Sequence, residues 1–468
     1  MHILLVNLTR FGDLLQSAAA LRSLADGGDG GNRVGLVCLD NFAAGAALLE
    51  GVTEVHPLPA GKIMAKLNAR NPDAEKDAAW LQGVASLQGW VDTVRSRFSP
   101  DMVCNLSPTI PACLLSRLLA AGTDCAGFTL DAFGFMHNAS PWASFMQSAT
   151  AARGVSPFNI VDLFRKIAGD ASAAPNASLL PPPEESRKDM ERRLRQASPD
   201  GAAGFVALQP GASAASRQWP VASFAAVGDA LWEKHRLLPL LLGTKNERPL
   251  AEAYASLAAG PHHSLMGETN ITELAAALSL SSLLVSNDTG TLHLASGLGL
   301  PVIGIYLATA QPWDTGPYAP GNCSLEPDLP CHPCDFGTRC AHEWACHTAI
   351  RPETVIRLAL AKLSSGSWGE AANFAASGAA QGSRVWKSRV DAWGFADLAS
   401  LSGHEHEGRT SWLRIQRPLY RQFFDSRDDE DFTPDPSEAV PSLGGEKGLA
   451  LARSCDEVLP LFDALLQQ

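Results

Sequence analysis

Apolar residues in this chain come in short dense runs with amphipathic stretches between them. HILLVN (2–7), VGLVCL (34–39) and DMVCNL (101–106) are apolar on both faces of an extended strand, and LLQSAAALRSLA (14–25) has helical spacing. Near-continuous apolar strands alternating with helices predict a parallel sheet covered on both faces. The rhythm stops at APNASLLPPPEES (174–186), which is followed by the charged helix RKDMERRLRQ. It restarts at GFVALQP (204–210) and runs on through the helix 221–235 and the strands LLPLLLG (237–243), SLLVS (282–286) and PVIGIY (301–306). The expected architecture is therefore α/β, with a first lobe over 1–180, a linker over 181–203 and a second lobe over 204–365. No sequence repeat between the halves is apparent. Two doubly wound lobes leave a cleft between the carboxyl ends of their sheets, where ligands of such folds bind. Past Ser364 the chain turns Gly/Ala/Ser-rich, so residues 366–468 read as a helical appendage with helices at 385–400, 411–424 and 446–467 and an acidic loop at 425–438.

Composition narrows the classes. Of 468 residues, 46% are hydrophobic and 18% charged, the net charge is −12 and the pI about 5.5, which argues against a nucleic-acid partner. MHILLVNLTR lacks the cationic start of a secretory signal, and no run approaches the length of a membrane helix. A cytoplasmic protein is expected, with room for peripheral contact at the inner membrane surface. Ten cysteines fall into two groups. Cys38, Cys104, Cys113, Cys125 and Cys455 sit scattered, mostly in apolar settings, and read as small buried hydrophobes. Cys323, Cys331, Cys334, Cys340 and Cys346 cluster, the last four in CHPCDFGTRCAHEWACHTAI, where a C-x-x-C pair plus two further thiols suits structural zinc. Disulfides and unligated thiols are the competing readings.

The most informative stretch is SLLVSNDTGTLHLASGLGLPVIGIY (282–306). A buried strand leads into Asn287-Asp288-Thr289-Gly290, and a helix starts at Gly290. Its unpaired N–H groups and positive macrodipole end attract phosphate, with Gly290 admitting close approach, Thr289 adding a hydroxyl and His293 one turn along. Simple capping by Asp288 or Thr289 is the alternative. In LQPGASAASRQWP (208–220), Ser213 can donate to a diphosphate and Arg217 can supply charge-assisted hydrogen bonds, unless Arg217 is an ordinary surface cation. Glu247 in LLLGTKNERPL follows a strand and a glycine turn, as a ribose-holding acid does, or simply favours a helix start.

Two further features belong to the first half. NLTRFGDLLQS (7–17) puts a carboxylate, Asp13, at the first βα turn, as a helix N-cap or as a base facing the cleft. In GKIMAKLNAR (61–70), Lys62, Lys66 and Arg70 share one helix face. That stripe can meet an anionic acceptor or membrane surface, although most such stripes are solvated faces.

Taken together, RFGDLLQSAAALRSL, PGASAASRQWP, GTKNE and NDTGTLHLASGLGLPVIGIY resemble glycosyltransferase family 9, the ADP-heptose:lipopolysaccharide heptosyltransferases and their relatives. The resemblance spans about residues 1–360. It implies a GT-B fold, two Rossmann-like domains facing across a cleft, and an inverting, metal-independent transfer of heptose or a similar sugar from a nucleotide diphosphate donor such as ADP-heptose. The acceptor would be a lipopolysaccharide core or another anionic cell-envelope glycan or glycolipid. By motif, Asp13 matches the catalytic base and Arg217, Glu247, Asp288, Thr289, Gly290 and His293 the donor side; Ser213 joins the donor side on its loop chemistry, and Arg10 is the acceptor-side candidate to replace the basic residue missing at Asn7. No cofactor is expected for catalysis. Two positions depart from the family pattern: Asn7 stands where a basic residue is common, and YLATAQP (306–312) lacks the glycine usual after the strand. An inactive nucleotide-sugar-binding module and a GT-B-like nucleotide-sugar epimerase are the alternative functions.

Overall fold

The computed structural model describes residues 1–27, 31–67, 75–149, 156–170, 176–369, 378 and 380–425. They divide into two compact units, Met1–Gly403 and His404–Gln468.

The larger unit contains two sheets. The first has strands β1 (His2–Val6), β2 (Arg33–Leu39), β3 (Val52–Leu58), β4 (Met102–Asn105), β5 (Asp124–Leu130) and β6 (Met136–Asn138), ordered β3-β2-β1-β4-β5-β6. All pair in parallel except β6, which folds back on β5. Helices α1 (Phe11–Gln16), α2 (Ala18–Asp26), α3 (Ala43–Ala46), α4 (Ala60–Leu67), α5 (Glu75–Phe98), α6 (Ile110–Ala120), α7 (Pro141–Ala149) and α8 (Ile160–Ile167) accompany it, and α9 (Glu184–Ala197) follows in the expected linker. Burial on both faces explains the dense apolar strands: Leu4, Leu5 and Val6 of β1 and Leu36 and Val37 of β2 are fully buried.

The second sheet is built from β7 (Gly204–Gln209), β8 (Leu237–Leu241), β9 (His263–Ser264), β10 (Ser281–Asn287), β11 (Val302–Ile305), β12 (Cys323–Pro327), β13 (Ser383–Val390) and β14 (Ala396–Ser400), in the order β14-β13-β12-β11-β10-β7-β8-β9. Its helices are α10 (Val221–His235), α11 (Arg248–Leu257), α12 (Ile271–Ser279), α13 (Gly290–Gly297), α14 (Pro312–Thr315), α15 (Cys346–Ala349) and α16 (Pro352–Ser365). In each sheet the winding reverses between two neighbouring strands, β1 and β4 in the first and β7 and β10 in the second. Such switch points open a crevice at the strands' carboxyl ends.

Residues 385–400, expected to be helical, instead form the β13–β14 hairpin and extend the second sheet antiparallel to β12. The physical reason is visible in SRVWKSRV, whose strand buries Ser383, Val385, Trp386 and Ser388 while Lys387 points to solvent. Asp391 ties the turn, its Oδ1 accepting from the N–H groups of Trp393 (2.9 Å) and Phe395 (2.8 Å). The same device closes β5–β6, where Asp131 Oδ1 accepts from Phe133 N (2.8 Å) and Phe135 N (2.9 Å). DAFGF (131–135) and DAWGF (391–395) are thus a short repeat that reading the halves for similarity missed.

Within the expected linker, α9 is held to the second lobe by the ion pair of Arg193 with Glu268. In the smaller unit, helix α17 (Gly408–Phe424) matches the expected 411–424 helix. The expected helix 446–467 and nearly all of the acidic loop lie outside the described residues.

Candidate active site

A cleft of about 1140 Å³ lies where the two sheets' carboxyl ends face each other within the larger unit. Asp13 and Arg10 line it from the first lobe, and Ser213, Arg217, Glu247, Asp288, Thr289, Gly290 and His293 line it from the second. Lys62 and Lys66 do not: both are exposed on α4, and Lys66 Nζ donates to Ser86 on α5 at 3.1 Å. Arg70 lies outside the described residues.

Asp13 is not an N-cap. Arg10 holds that position, and Asp13 is the third residue of α1, where its Oδ2 accepts from Arg10 N at 3.3 Å. A carboxylate at this position is also favoured by the helix dipole. Asn7, the departure from the family pattern, is buried and donates from Nδ2 to the Asp13 carbonyl at 3.1 Å, while its Oδ1 accepts from Thr9 N at 3.2 Å. It therefore shapes the loop that presents Asp13.

Across the cleft, β10 ends at Asn287 and α13 begins after Thr289. Thr289 makes no side-chain cap, and its hydroxyl pairs with Ser286 Oγ at 3.1 Å instead. The first turn of α13 thus lines the cleft with N–H groups and the positive end of its dipole, an arrangement that suits an anion. Asn287 is fully buried and stitches the neighbouring loop in place: Nδ2 donates to the carbonyls of Pro210 (2.8 Å) and Gly211 (3.3 Å), and Oδ1 accepts from Trp219 N (3.0 Å). Reading the turn for ligand contacts alone missed this positioning role.

Arg217 is 8% exposed, which removes the surface-cation reading. Its Nε donates to Thr309 Oγ1 at 2.8 Å, its Nη1 stands 3.7 Å from Asp288 Oδ2, and the guanidinium lies 5.7 Å from the Phe336 ring centre. Thr309 and Phe336 have no sequence signal of their own, because both arrive from a segment remote in the chain. Thr309 follows Ala308, whose φ is +54°. A side chain in this left-handed conformation costs about 1–2 kcal/mol.

Glu247 has the helix-start role and also lines the cleft. Its Oε2 closes a capping box, accepting from Thr244 N (2.7 Å) and Thr244 Oγ1 (3.0 Å). Its Oε1 lies 1.7 Å from where a Cβ on Gly211 would stand, so only glycine admits the carboxylate over that loop. His293 is partly buried, and burial lowers its pKa from 6.5 to about 4. At neutral pH it faces the cleft as an uncharged imidazole, a hydrogen-bond donor or acceptor rather than a cation.

The family model for glycosyltransferase family 9 (heptosyltransferase) matches residues 101–344, and the chain belongs to this family. It is 30% identical over 113 residues to the lipopolysaccharide core heptosyltransferase OpsX of Haemophilus influenzae, covering 24% of this chain and 32% of that protein. It is 28% identical over 143 residues to the lipopolysaccharide heptosyltransferase 1 of Pseudomonas aeruginosa, covering 30% and 39% respectively. The chain thus aligns with roughly a third of each curated relative's length. Its fold is similar to that of a family 9 glycosyltransferase of Veillonella parvula, with a TM-score of 0.60 and 15% identity over 77% of this chain and 96% of that one. The α/β GT-B architecture expected from the motifs is the one observed.

Proposed function

We propose that the chain is a glycosyltransferase that moves a heptose or similar sugar from a nucleoside diphosphate donor, ADP-heptose being the first choice, to a lipopolysaccharide-core or other cell-envelope glycan. The carrying observation is that Asp13 and the start of α13 line the same cleft from opposite lobes. Asp13 takes the proton of the acceptor hydroxyl as its oxygen attacks the anomeric carbon. The bond from that carbon to the diphosphate oxygen breaks on the opposite face, inverting the centre, and the electron pair leaves with the diphosphate. The first-turn N–H groups of α13, Arg217 and an N–H of neutral His293 receive the negative charge, with no metal needed for the transfer. Glu247 Oε1 is available to the ribose hydroxyls.

The acceptor side extends this reading. Helices α4, α5 and α6 pack as one layer on the first sheet, where Ile63, Val91 and Leu115 share a core. The outer face of that layer exposes Met64, Trp80, Leu81, Ile110, Leu114 and Leu118 beside the cations Lys62, Lys66 and Arg117. In a chain of net charge −12, a helical layer that exposes these apolar side chains and cations suits an anionic membrane surface on the cytoplasmic side, where a lipid-anchored acceptor is presented. Among the described residues, no helix is long and apolar enough to cross a membrane.

Incubating the chain with nucleotide sugars, with and without acceptor, tests the proposal. Transfer that requires acceptor and releases ADP is the expected result. Binding of ADP without turnover would favour the inactive module, and a new sugar nucleotide formed without acceptor would favour an epimerase.

A further inference from the structure

The sulfurs of Cys331, Cys334, Cys340 and Cys346 are not gathered as metal ligands. Among the described residues no three of them lie within 4.8 Å of one another, so the loop does not fit the structural zinc expected of it. The group that calls for a ligand lies in the cleft itself. We propose that Gln16 is a specificity-determining residue that hydrogen-bonds a hydroxyl of the sugar being transferred, an assignment that rests on the cleft being a nucleotide-sugar site.

The sequence puts one amide into an apolar turn. Leu14, Leu15, Ala18 and Ala19 around it are buried, and Ser17 places its own hydroxyl on the Leu14 carbonyl at 2.6 Å. Gln16 is buried with them, at 4% exposure, but its Nε2 has no hydrogen-bond partner among the described residues. A buried amide donor left unpaired is costly, and packing alone at this position would be served better by leucine or methionine. Gln16 also lines the cleft, so it belongs to the floor rather than the rim. The last torsion of a glutamine is broad and soft, so rotation about it turns the donor towards a bound molecule.

Its neighbours define which molecule. Helices α1 and α13 pack directly on each other at Gly12 and Gly290, where a Cβ on Gly12 would stand 3.0 Å from the His293 ring. Gln16 lies one turn into α1 from that contact and His293 one turn into α13, and both also line a small adjoining cavity of about 20 Å³. Asp13 precedes Gln16 by three residues, which puts the two side chains on one face of α1. During transfer the sugar bridges these walls, its anomeric carbon bonded to the diphosphate at α13 and open to the hydroxyl that Asp13 activates. A floor group between base and anion site therefore meets the sugar, not the nucleoside. Gln16 carries no charge, so it suits a hydroxyl oxygen, whereas Arg217 and the first turn of α13 suit the phosphates.

Calorimetry on the full chain tests this with two probes, ADP and ADP-heptose, against the parent and Gln16→Met, an apolar side chain of similar length. ADP binding should be unchanged while ADP-heptose binding weakens about tenfold, the loss expected for one hydrogen bond to the sugar. The melting temperature of the free variant should hold or rise, because the unpaired donor is gone. Equal weakening of both probes makes Gln16 a packing residue and overturns the assignment. Unchanged affinities overturn it too, whether or not the melting temperature falls. If the parent binds neither probe, the proposed function fails and takes the assignment with it. If the parent binds ADP but refuses ADP-heptose, the nucleotide site stands and the assignment fails. Should Gln16→Met not fold, a crystal structure of the parent chain with ADP-heptose decides. Gln16 Nε2 within about 3.2 Å of a sugar oxygen upholds the contact, and an amide without one overturns it.

Discussion

Gly12 and Gly290 meet backbone to backbone across the cleft. A Cβ built on Gly290 would lie 3.2 Å from Gly12 N and 2.7 Å from the Phe11 ring, and one built on Gly12 would lie 3.0 Å from the His293 ring. The helix that carries Asp13 and the helix that offers its N-terminus to the cleft therefore touch without an intervening side chain. This contact sets how far the base stands from the anion site.

Gly290→Ala forces the backbones of α1 and α13 apart, because neither the Phe11 ring nor Gly12 N leaves room for a methyl group. Turnover should fall at least about tenfold, since misplacing reacting groups by even about 1 Å is costly. Steady-state transfer kinetics and calorimetric ADP binding check this. Normal turnover would mean that the lobes can slide without consequence.

Asp13→Asn keeps the size of the side chain and an acceptor for Arg10 N but removes the base. Turnover should drop at least about a hundredfold with ADP affinity unchanged. A near-normal rate would reduce Asp13 to a helix-stabilising carboxylate.

Arg217→Ala removes a buried guanidinium from beside Asp288 and the start of α13. Calorimetry should show ADP binding weakened by about ten- to a hundredfold, in line with a charge-assisted hydrogen bond, while adenosine binding changes little. Equal loss for both ligands would place Arg217 away from the phosphates.

His293 makes stability depend on acid. Its folded pKa of about 4 lies below the unfolded 6.5, so the unfolded chain binds the extra proton first. Its neutral form costs nothing above pH 6.5, and stability declines as pH falls from there towards about 4. Thermal melts at pH 7 and 4.5 should show His293→Gln losing less on acidification than the parent chain. Identical losses would mean that His293 does not contribute to this window.

Arg165 is buried between Asp162 (3.5 Å) and Asp170 (2.9 Å), and it donates to the Gly394 carbonyl at 2.7 Å. Arg165→Ala strands two buried carboxylates and frees the tip of the β13–β14 hairpin, at a cost of about 3–5 kcal/mol. Urea denaturation reads this directly, and a loss below 1 kcal/mol would show that water reaches the pair.

Local order along the chain was enough for the strand–helix alternation, the polar turn at 287–290 that opens α13 and Asp13 at the first βα turn, because each depends on residues adjacent in sequence. The start of helix 221–235 was legible because Trp219-Pro220 precedes it, and in the structure Arg236 ends it in a left-handed conformation. The β13–β14 hairpin was misread because its short strands gain their identity from pairing with β12, a partner more than fifty residues away. Which cations reach the cleft was equally invisible: Lys62 and Lys66 have the right spacing but the wrong face, whereas Arg217 is turned inward by Thr309 and Phe336. Spacing fixes which side chains share a face, and only the packing of remote segments decides what that face looks upon.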